Sequence, residues 1–390
     1  MQAVILAAGK STRTYPLTLT RPKPLLKAAN KTILEHNLEQ LEGLVEEVII
    51  VIGHKGEMIK DFMKGKFKSL KIRYVEQKKQ LGTGDALLKA KKYIKNRFVV
   101  LAGDDFYSRE DIKQCLNEKY CVLGCKVKDY SNFGILRTKG KFLEMIIEKP
   151  ERFISNIANT SLYVLDNGIF DVKIKKSQRN EYEAVDLINH LKNKVVVKVV
   201  KDYWIPIGFP WSLLEANIFF LNKKKRSEIK GVVEKGVTIK GNVILGKKSI
   251  IKSGSYIEGP VMIGENCIIG PNAYLRPATA IGDNCKIRAE VVDSIIMKNT
   301  TAKHFSYIGH SVIGENCNIA AGTVTADYRH DCKEHITIIG GKKINSGRKK
   351  LGCFIGDNAR TGINTSIYPG RSIWPGKTTL PGEIVTEDIK

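Results

Sequence analysis

Acidic residues are the scarce charge in this 390-residue chain: 40 Asp and Glu stand against 64 Lys and Arg, a formal net charge of +24. Such a surplus raises the question of a nucleic-acid partner. The lysines, however, run along the whole chain, with no RNA-binding signature, zinc-finger spacing or basic tail. No nucleic acid is therefore expected, and phosphorylated small molecules suit the charge. Missing too is any apolar run of about 18 residues, so no membrane-spanning helix is expected. The opening segment lacks the basic leader of a secretory signal. The eight cysteines contain no C-x-x-C pair, Cys121 and Cys125 being four apart. Buried thiols in a reducing cytoplasm are the expectation.

A further absence concerns phosphate binding. Gly9-Lys10-Ser11-Thr12 ends like a Walker A loop, but Val4 stands where that motif needs its first glycine. Taken alone, the tetrapeptide reads as a plain strand-to-helix turn. Up to about residue 222, short apolar runs ("AVILAA", "EVIIVIG", "RFVVLAGDD") alternate with a helical pattern such as "NKTILEHNLEQLEGL". That alternation predicts an α/β domain, Rossmann-like, with a mostly parallel sheet covered on both faces. A glycine and small residues at the first strand-to-helix turn let backbone N–H groups approach phosphate oxygens, and Arg13 and Lys23 add permanent charge.

After the basic stretch "NKKKRSEIKG" the period changes to six. Val233, Ile239, Leu245, Ile251, Ile257, Ile263, Ile269, Leu275, Ile281 and Ile287 recur at that interval, with a small or β-branched residue two positions before each. A helix would scatter such a period around its surface, whereas a triangular coil of short parallel strands stacks it in columns. The pattern breaks near Asp293, resumes at Ile313 and Ile319, and returns from Ile355. The breaks predict loops thrown out of the coil. The expected architecture is an α/β domain over 1–225, then a left-handed parallel β-helix of hexapeptide repeats over 226–390.

"LAAGKSTRTYPLT…PKPLL" resembles the signature of sugar-1-phosphate nucleotidylyltransferases, with Ser11 where many members carry glycine. The resemblance implies that Leu6, Ala8, Gly9, Gln77, Gly82 and Thr83 bind the nucleotide. It implies that Arg13 and Lys23 are catalytic, Arg13 at the departing pyrophosphate and Lys23 at the α-phosphate. "LAGDD" implies Asp104 as the Mg²⁺ ligand. "NFGIL", "EKP" and "ANTSLYVL" imply sugar-phosphate contacts from Gly134, Glu148, Lys149 and Asn159. One position departs from the pattern: in "YWIPIGFP" Pro206 replaces an aspartate that serves many relatives as a second metal ligand.

"KHFSYIGHSVIGENCNIAAGTVTADYRHDCK" resembles the acetyltransferase segment of bifunctional enzymes that join glucosamine-1-phosphate N-acetyltransferase to N-acetylglucosamine-1-phosphate uridylyltransferase, with the archaeal branch nearest. The resemblance implies His304 as general base. It implies Arg276 for the phosphate, and Tyr307, Asn318 and Lys333 for sugar phosphate and acetyl group. Ala321 and Asp357 fall in segments along an acetyl-CoA cleft. Asp327 joins this site where relatives often have asparagine, and Val292 stands where they often have lysine. The implied partners are UTP (or dTTP), a sugar-1-phosphate and acetyl-CoA, and the implied assembly is a homotrimer. The competing readings are a single-activity glucose- or mannose-1-phosphate nucleotidylyltransferase with a structural coil, and a catalytically dead regulatory subunit. Intact Arg13, Lys23 and Asp104 oppose the second.

Overall fold

The computed structural model describes residues 1–177 and 179–390. The chain forms two compact units. The first comprises Met1–Lys10, Pro22–Leu25 and Ile33–Pro206; the second comprises Ser11–Arg21, Leu26–Thr32 and Ile207–Lys390.

The first unit is built on a ten-stranded sheet. Its centre is parallel: strand Gln2–Ala7 lies between Glu47–Ile52 and Phe98–Ala102, and Leu70–Glu76 pairs outside Glu47–Ile52. These are the continuous apolar runs that burial on both faces demands. Ala3, Ile5 and Ala7 enter one core with helices Ile33–Leu41, Gly56–Met63 and Arg109–Leu116, while Val4 and Ala8 enter the other with Thr83–Lys89 and Ala184–His190. Ser108 starts the helix Arg109–Leu116 by accepting the Asp111 N–H at 3.1 Å. Beyond Phe98–Ala102 the sheet becomes mixed. Ile157–Leu165 runs antiparallel to both Phe98–Ala102 and Cys121–Lys126, and the hairpin Gly134–Lys139/Phe142–Glu148 closes that edge. The parallel order read from the sequence thus describes the nucleotide-loop half, and mainly antiparallel pairing builds the other.

The second unit is a three-faced coil with parallel sheets of eight, six and eight short strands. Leu245, Ile263, Ile281, Ile296, Ile313, Ile355 and Ile373 stack in register down one face. The eighteen residues from Leu245 to Ile263 are three sixes, one per face. The first break in the period is not a loop: Ile281 to Ile296 is a rung shortened by three residues, which keeps the column continuous. The second break is a loop, running from Thr325 to Phe354 and carrying the hairpin Ile336–Ile339/Lys342–Asn345.

Each corner of the coil needs a left-handed residue, and Asn266, Asn272, Asn284, Asn299, Asn316, Asn358 and Asn364 supply it with φ of 55–61°. Asparagine tolerates this region better than other residues with a β-carbon. Three of them form a ladder, Asn284 donating to Asn299 and Asn299 to Asn316, each at 3.0 Å. The next position holds a small group whose polar atom bonds an adjacent rung. Ser249 Oγ donates to the Gly264 carbonyl (2.7 Å), and the thiols of Cys267, Cys285 and Cys317 do likewise with Gly282, Met297 and Gly356. Burial pushes the Cys317 and Cys353 thiols up to about 12, so these cysteines pack rather than react.

The helix Ser212–Asn222 clips part of the N-terminal sequence onto the coil. Asn217, fully buried, accepts the Ala29 N–H at 2.8 Å and donates to the Ala278 carbonyl at 2.7 Å.

Candidate functional site

In the first unit, strand Gln2–Ala7 delivers Leu6, Ala8 and Gly9 to the C-terminal edge of the parallel sheet, where α/β folds bind ligands. The Leu6 carbonyl accepts the Gly103 N–H (2.9 Å) and the Ala8 carbonyl accepts the His54 N–H (3.2 Å). Ala8 is buried and Gly9 exposed, so the loop turns outward there. A side chain on Gly53 would stand 2.7 Å from the Ala8 oxygen, so the neighbouring turn must also be bare.

Lys23 sits on a one-turn helix Lys23–Leu25, flanked by Pro22 and Pro24. Its ammonium is buried and lies 2.7 Å from Asp104 Oδ2, whose carboxylate is 39% exposed. Two residues named separately from the sequence thus form one pair. Asp105 is turned elsewhere: Trp204 Nε1 donates to it at 3.0 Å, and its strand Asp105–Tyr107 pairs with Trp204–Pro206 so that Pro206 lies opposite Asp105. Among the described residues no three His, Cys, Asp or Glu side chains form a metal cluster. The donor set is therefore a single accessible carboxylate, which fits Mg²⁺ completed by phosphate oxygens and water.

Gln77 is buried, and its amide donates to the Gly82 carbonyl (3.0 Å) and to Asp85 (2.8 Å). Gly82 has φ +107°, and a β-carbon there would stand 2.4 Å from the Tyr182 carbonyl, so only glycine fits. Thr83 begins the helix Thr83–Lys89, its hydroxyl accepting the Ala184 N–H at 3.0 Å.

The sugar-side residues converge on strand Ile157–Leu165. A bulge between Asn159 and Tyr163 turns Asn159 inward, with Ser161 at φ +60°. Asn159 donates to the Tyr163 hydroxyl (2.7 Å) and accepts the Ser161 N–H (3.0 Å). Gly134 faces Glu148 across the hairpin, and a β-carbon on Gly134 would stand 2.8 Å from that carboxylate. Lys149 follows at φ +43°, exposed. Glu148 is open to solvent, yet enclosure by protein raises its pKa, with Arg179 and Lys149 opposing and Glu183 and Asp186 adding to the rise.

Arg13 belongs to the second unit. It lies on the turn Thr12–Thr14, entered through Ser11 at φ +55°, and its guanidinium rests 5.8 Å from the Phe209 ring. Arg21, not singled out by sequence reasoning, anchors this stretch to the coil. It is buried between Glu315 and Asp357, 2.5 Å from each. Burial lowers its pKa, but the two carboxylates outweigh that, and the net shift is upward. Asp357 accepts further from the Thr20 hydroxyl (2.6 Å) and the Glu315 N–H (2.7 Å), so both its oxygens are engaged inside the unit.

On the coil, His304 is exposed at a corner, followed by Phe305 and Tyr307. The Tyr307 hydroxyl donates to Asp327 Oδ2 at 2.7 Å, and burial together with this bond raises the phenol pKa. Asp327 also lies 3.4 Å from His310 Nε2, and His310 Nδ1 lies 2.8 Å from Asp293 Oδ2, which Arg348 also engages. The chain Tyr307–Asp327–His310–Asp293–Arg348 was not anticipated. Its sequence signal was the histidine of "YIGH", which reads alone as a corner residue. Asn318 accepts the Thr301 hydroxyl at 2.9 Å on a different face. Ala321 accepts the Asn364 N–H at 2.8 Å, and Lys333 lies exposed in the inserted loop. Arg276 is paired with Glu290 at 3.0 Å. Val292 ends the strand Glu290–Val292 beside Asp293.

Two family models match the chain: Nucleotidyl transferase over residues 2–223 and GMPPB C-terminal domain over 257–345. The chain is 43% identical over 95% of its length to "Bifunctional protein GlmU" of Methanocaldococcus jannaschii, covering 91% of that protein. It is 40% identical over its full length to the "Bifunctional sugar-1-phosphate nucleotidylyltransferase/acetyltransferase" of Sulfurisphaera tokodaii, covering 98%. Among solved structures, a putative glucose-1-phosphate thymidylyltransferase from Bacillus anthracis superposes with a TM-score of 0.52 at 26% identity, over 56% of this chain and 94% of that one. Similarity spanning both the nucleotide-loop domain and the coil places this chain in the archaeal family of bifunctional GlmU-type sugar-1-phosphate nucleotidylyltransferase/acetyltransferases.

Proposed function

We propose that the chain makes UDP-N-acetylglucosamine in two steps: residues 226–390 acetylate glucosamine-1-phosphate from acetyl-CoA, and residues 1–225 couple the product to UTP. The observation that carries the reading is the joint presence of the Lys23–Asp104 pair in one unit and the Tyr307–Asp327–His310 chain, three residues along from His304, in the other. A structural coil alone has no use for the second group, which disfavours the single-activity reading.

In the uridylyl step a phosphate oxygen of the sugar phosphate attacks the α-phosphorus of UTP and pyrophosphate departs. The nucleophile is already anionic, so positioning and charge neutralisation dominate. Lys23 meets the charge developing on the α-phosphate, and Arg13 meets the leaving pyrophosphate. Asp104 would hold Mg²⁺, which supplies positive charge to the phosphate oxygens. Gln77, with Gly82 and Thr83, receives the base, leaving UTP or dTTP to be decided by assay. Gly134, Glu148, Lys149 and Asn159 hold the sugar. In the acetyl step His304 takes a proton from the sugar amine as it attacks the thioester carbonyl, and the coenzyme A thiolate leaves. Tyr307, Asp327, Asn318 and Lys333 position the acceptor, and the Ala321 segment lies along the acetyl-CoA path. The exposed apolar residues Val324, Tyr328, Leu380 and Ile384 on the coil favour a homotrimer. No helix of the described residues is long and apolar enough to cross a membrane. The eight free thiols suit a cytoplasmic enzyme.

Two variants test the division of labour. Lys23→Ala is expected to cut uridylyl transfer by about 10²–10³ while leaving coenzyme A release intact. His304→Ala is expected to cut coenzyme A release by about 10²–10⁴, recovering in part as pH rises and free amine forms, with uridylyl transfer to N-acetylglucosamine-1-phosphate unchanged. Parallel loss of both activities in either variant contradicts the assignment.

A further inference from the structure

One cavity of about 240 Å³ opens on the coil among Lys286, Arg288 and Lys303, with Gly270 and Pro271 in its wall. The register explains it. Ile269 pairs with Ile287, and Ile287 with Ala302, so Gly270, Arg288 and Lys303 occupy the same position on three consecutive rungs. Gly270, at φ +89°, is bare because a β-carbon there would stand 2.2 Å from Ser255 Oγ, and it leaves only backbone in the cavity wall at that rung. Lys286, on the same strand Lys286–Ile287, completes the lining.

Three cations therefore ring one space. Among the described residues none of them is in an ion pair, and the Arg288 Nε is buried without a hydrogen-bond partner. By contrast Arg276, the cation that the sequence offered for the phosphate, is neutralised by Glu290. Clustered cations repel one another and focus positive potential, and the natural occupant of such a cavity is an anion. Arg288 is also held in place, its guanidinium lying 4.4 Å from the centroid of the exposed Phe305 ring. The cavity is smaller than the ~300–1,000 Å³ that receives a whole ligand. It suits one group of a ligand. Lys303 immediately precedes His304, so that group is anchored next to the reacting centre.

We propose that Lys286, Arg288 and Lys303 form a phosphate-monoester subsite of the acetyltransferase. This rests on the acetyltransferase reading of the coil. Two substrates of that reaction carry such a group: the acceptor's 1-phosphate and the 3′-phosphate of coenzyme A. The test is calorimetric titration of the full chain and of its Lys286→Ala/Lys303→Ala variant with glucosamine-1-phosphate, coenzyme A and dephospho-coenzyme A. The variant is expected to bind one phosphate ligand about 10–100-fold more weakly, with unchanged melting temperature and unchanged uridylyl transfer. Weakening confined to glucosamine-1-phosphate assigns the acceptor. Weakening confined to coenzyme A, with dephospho-coenzyme A binding both proteins alike, assigns the 3′-phosphate. Equal affinity of variant and wild type for every ligand overturns the subsite, as does uniform weakening with a lowered melting temperature. The single variants Lys286→Gln and Lys303→Gln serve if the double variant does not fold. Titration needs no turnover, so a wild type that binds these ligands yet releases no coenzyme A defeats the acetyltransferase reading and not the subsite.

Discussion

Glu148 shows what a single residue costs at a site. Desolvation by the surrounding protein, aided by Glu183 and Asp186, raises its pKa above the ordinary 4.5 against the pull of Arg179 and Lys149. A carboxyl with a raised folded pKa binds its proton more tightly in the folded chain. Its contribution to stability is complete below pH 4.5 and is lost as pH rises through the folded value. Glu148→Gln removes that dependence. The variant is expected to match wild type in melting temperature at about pH 4 and to exceed it at about pH 7, while uridylyl transfer falls. A melting-temperature difference that is the same at both pH values contradicts the desolvation of Glu148 in the folded chain. At this scale the sequence marked which residues to examine, because motif spacing survives in one dimension. It did not reveal that Lys23 faces Asp104, or that Asp357 spends its oxygens on Arg21, Thr20 and a backbone N–H. Those partners lie from 42 to 337 residues apart, and no local pattern encodes them.

Among elements, the coil was the more legible. A six-residue period has one geometric solution, and its isoleucines stack as the period requires. The left-handed corners were legible in principle, since asparagine or glycine recurs three positions before the core residue, as at Asn266, Asn284 and Gly254. Asn299 tests the corner rule. Asn299→Ala replaces a residue that tolerates the left-handed region with one that tolerates it poorly and removes two ladder hydrogen bonds, whereas Asn299→Gly removes the bonds but relieves the β-carbon strain. Urea denaturation is expected to find the alanine variant less stable than the glycine variant; the reverse order contradicts the corner account. The antiparallel half of the first sheet was less legible. Its strand order depends on antiparallel pairings whose partners, such as Ile157–Leu165 with Phe98–Ala102, are distant in sequence.

For the whole molecule, the unit boundary is not a cut in the chain. Residues 11–21, which carry Arg13, pack with the coil and are fixed there by Arg21. Arg21→Ala leaves Glu315 and Asp357 buried without their cation, and loss of one partner of a buried pair typically costs about 3–5 kcal/mol. The coil unit of this variant is expected to unfold at lower urea. Arg21→Lys is expected to recover only part of the loss, because an ammonium lacks the fork that reaches both carboxylates. Wild-type stability in Arg21→Ala contradicts the anchoring role.

The central claim is that one chain carries both transfers, and product analysis tests it most directly. The purified protein is incubated with glucosamine-1-phosphate, acetyl-CoA, UTP and Mg²⁺, and the mixture is followed by mass spectrometry. The account predicts coenzyme A and N-acetylglucosamine-1-phosphate first, then UDP-N-acetylglucosamine with pyrophosphate. A nucleotide sugar formed only from ready-made N-acetylglucosamine-1-phosphate, with no coenzyme A released, contradicts it, and Val292 and Asp327 are then the first residues to exchange.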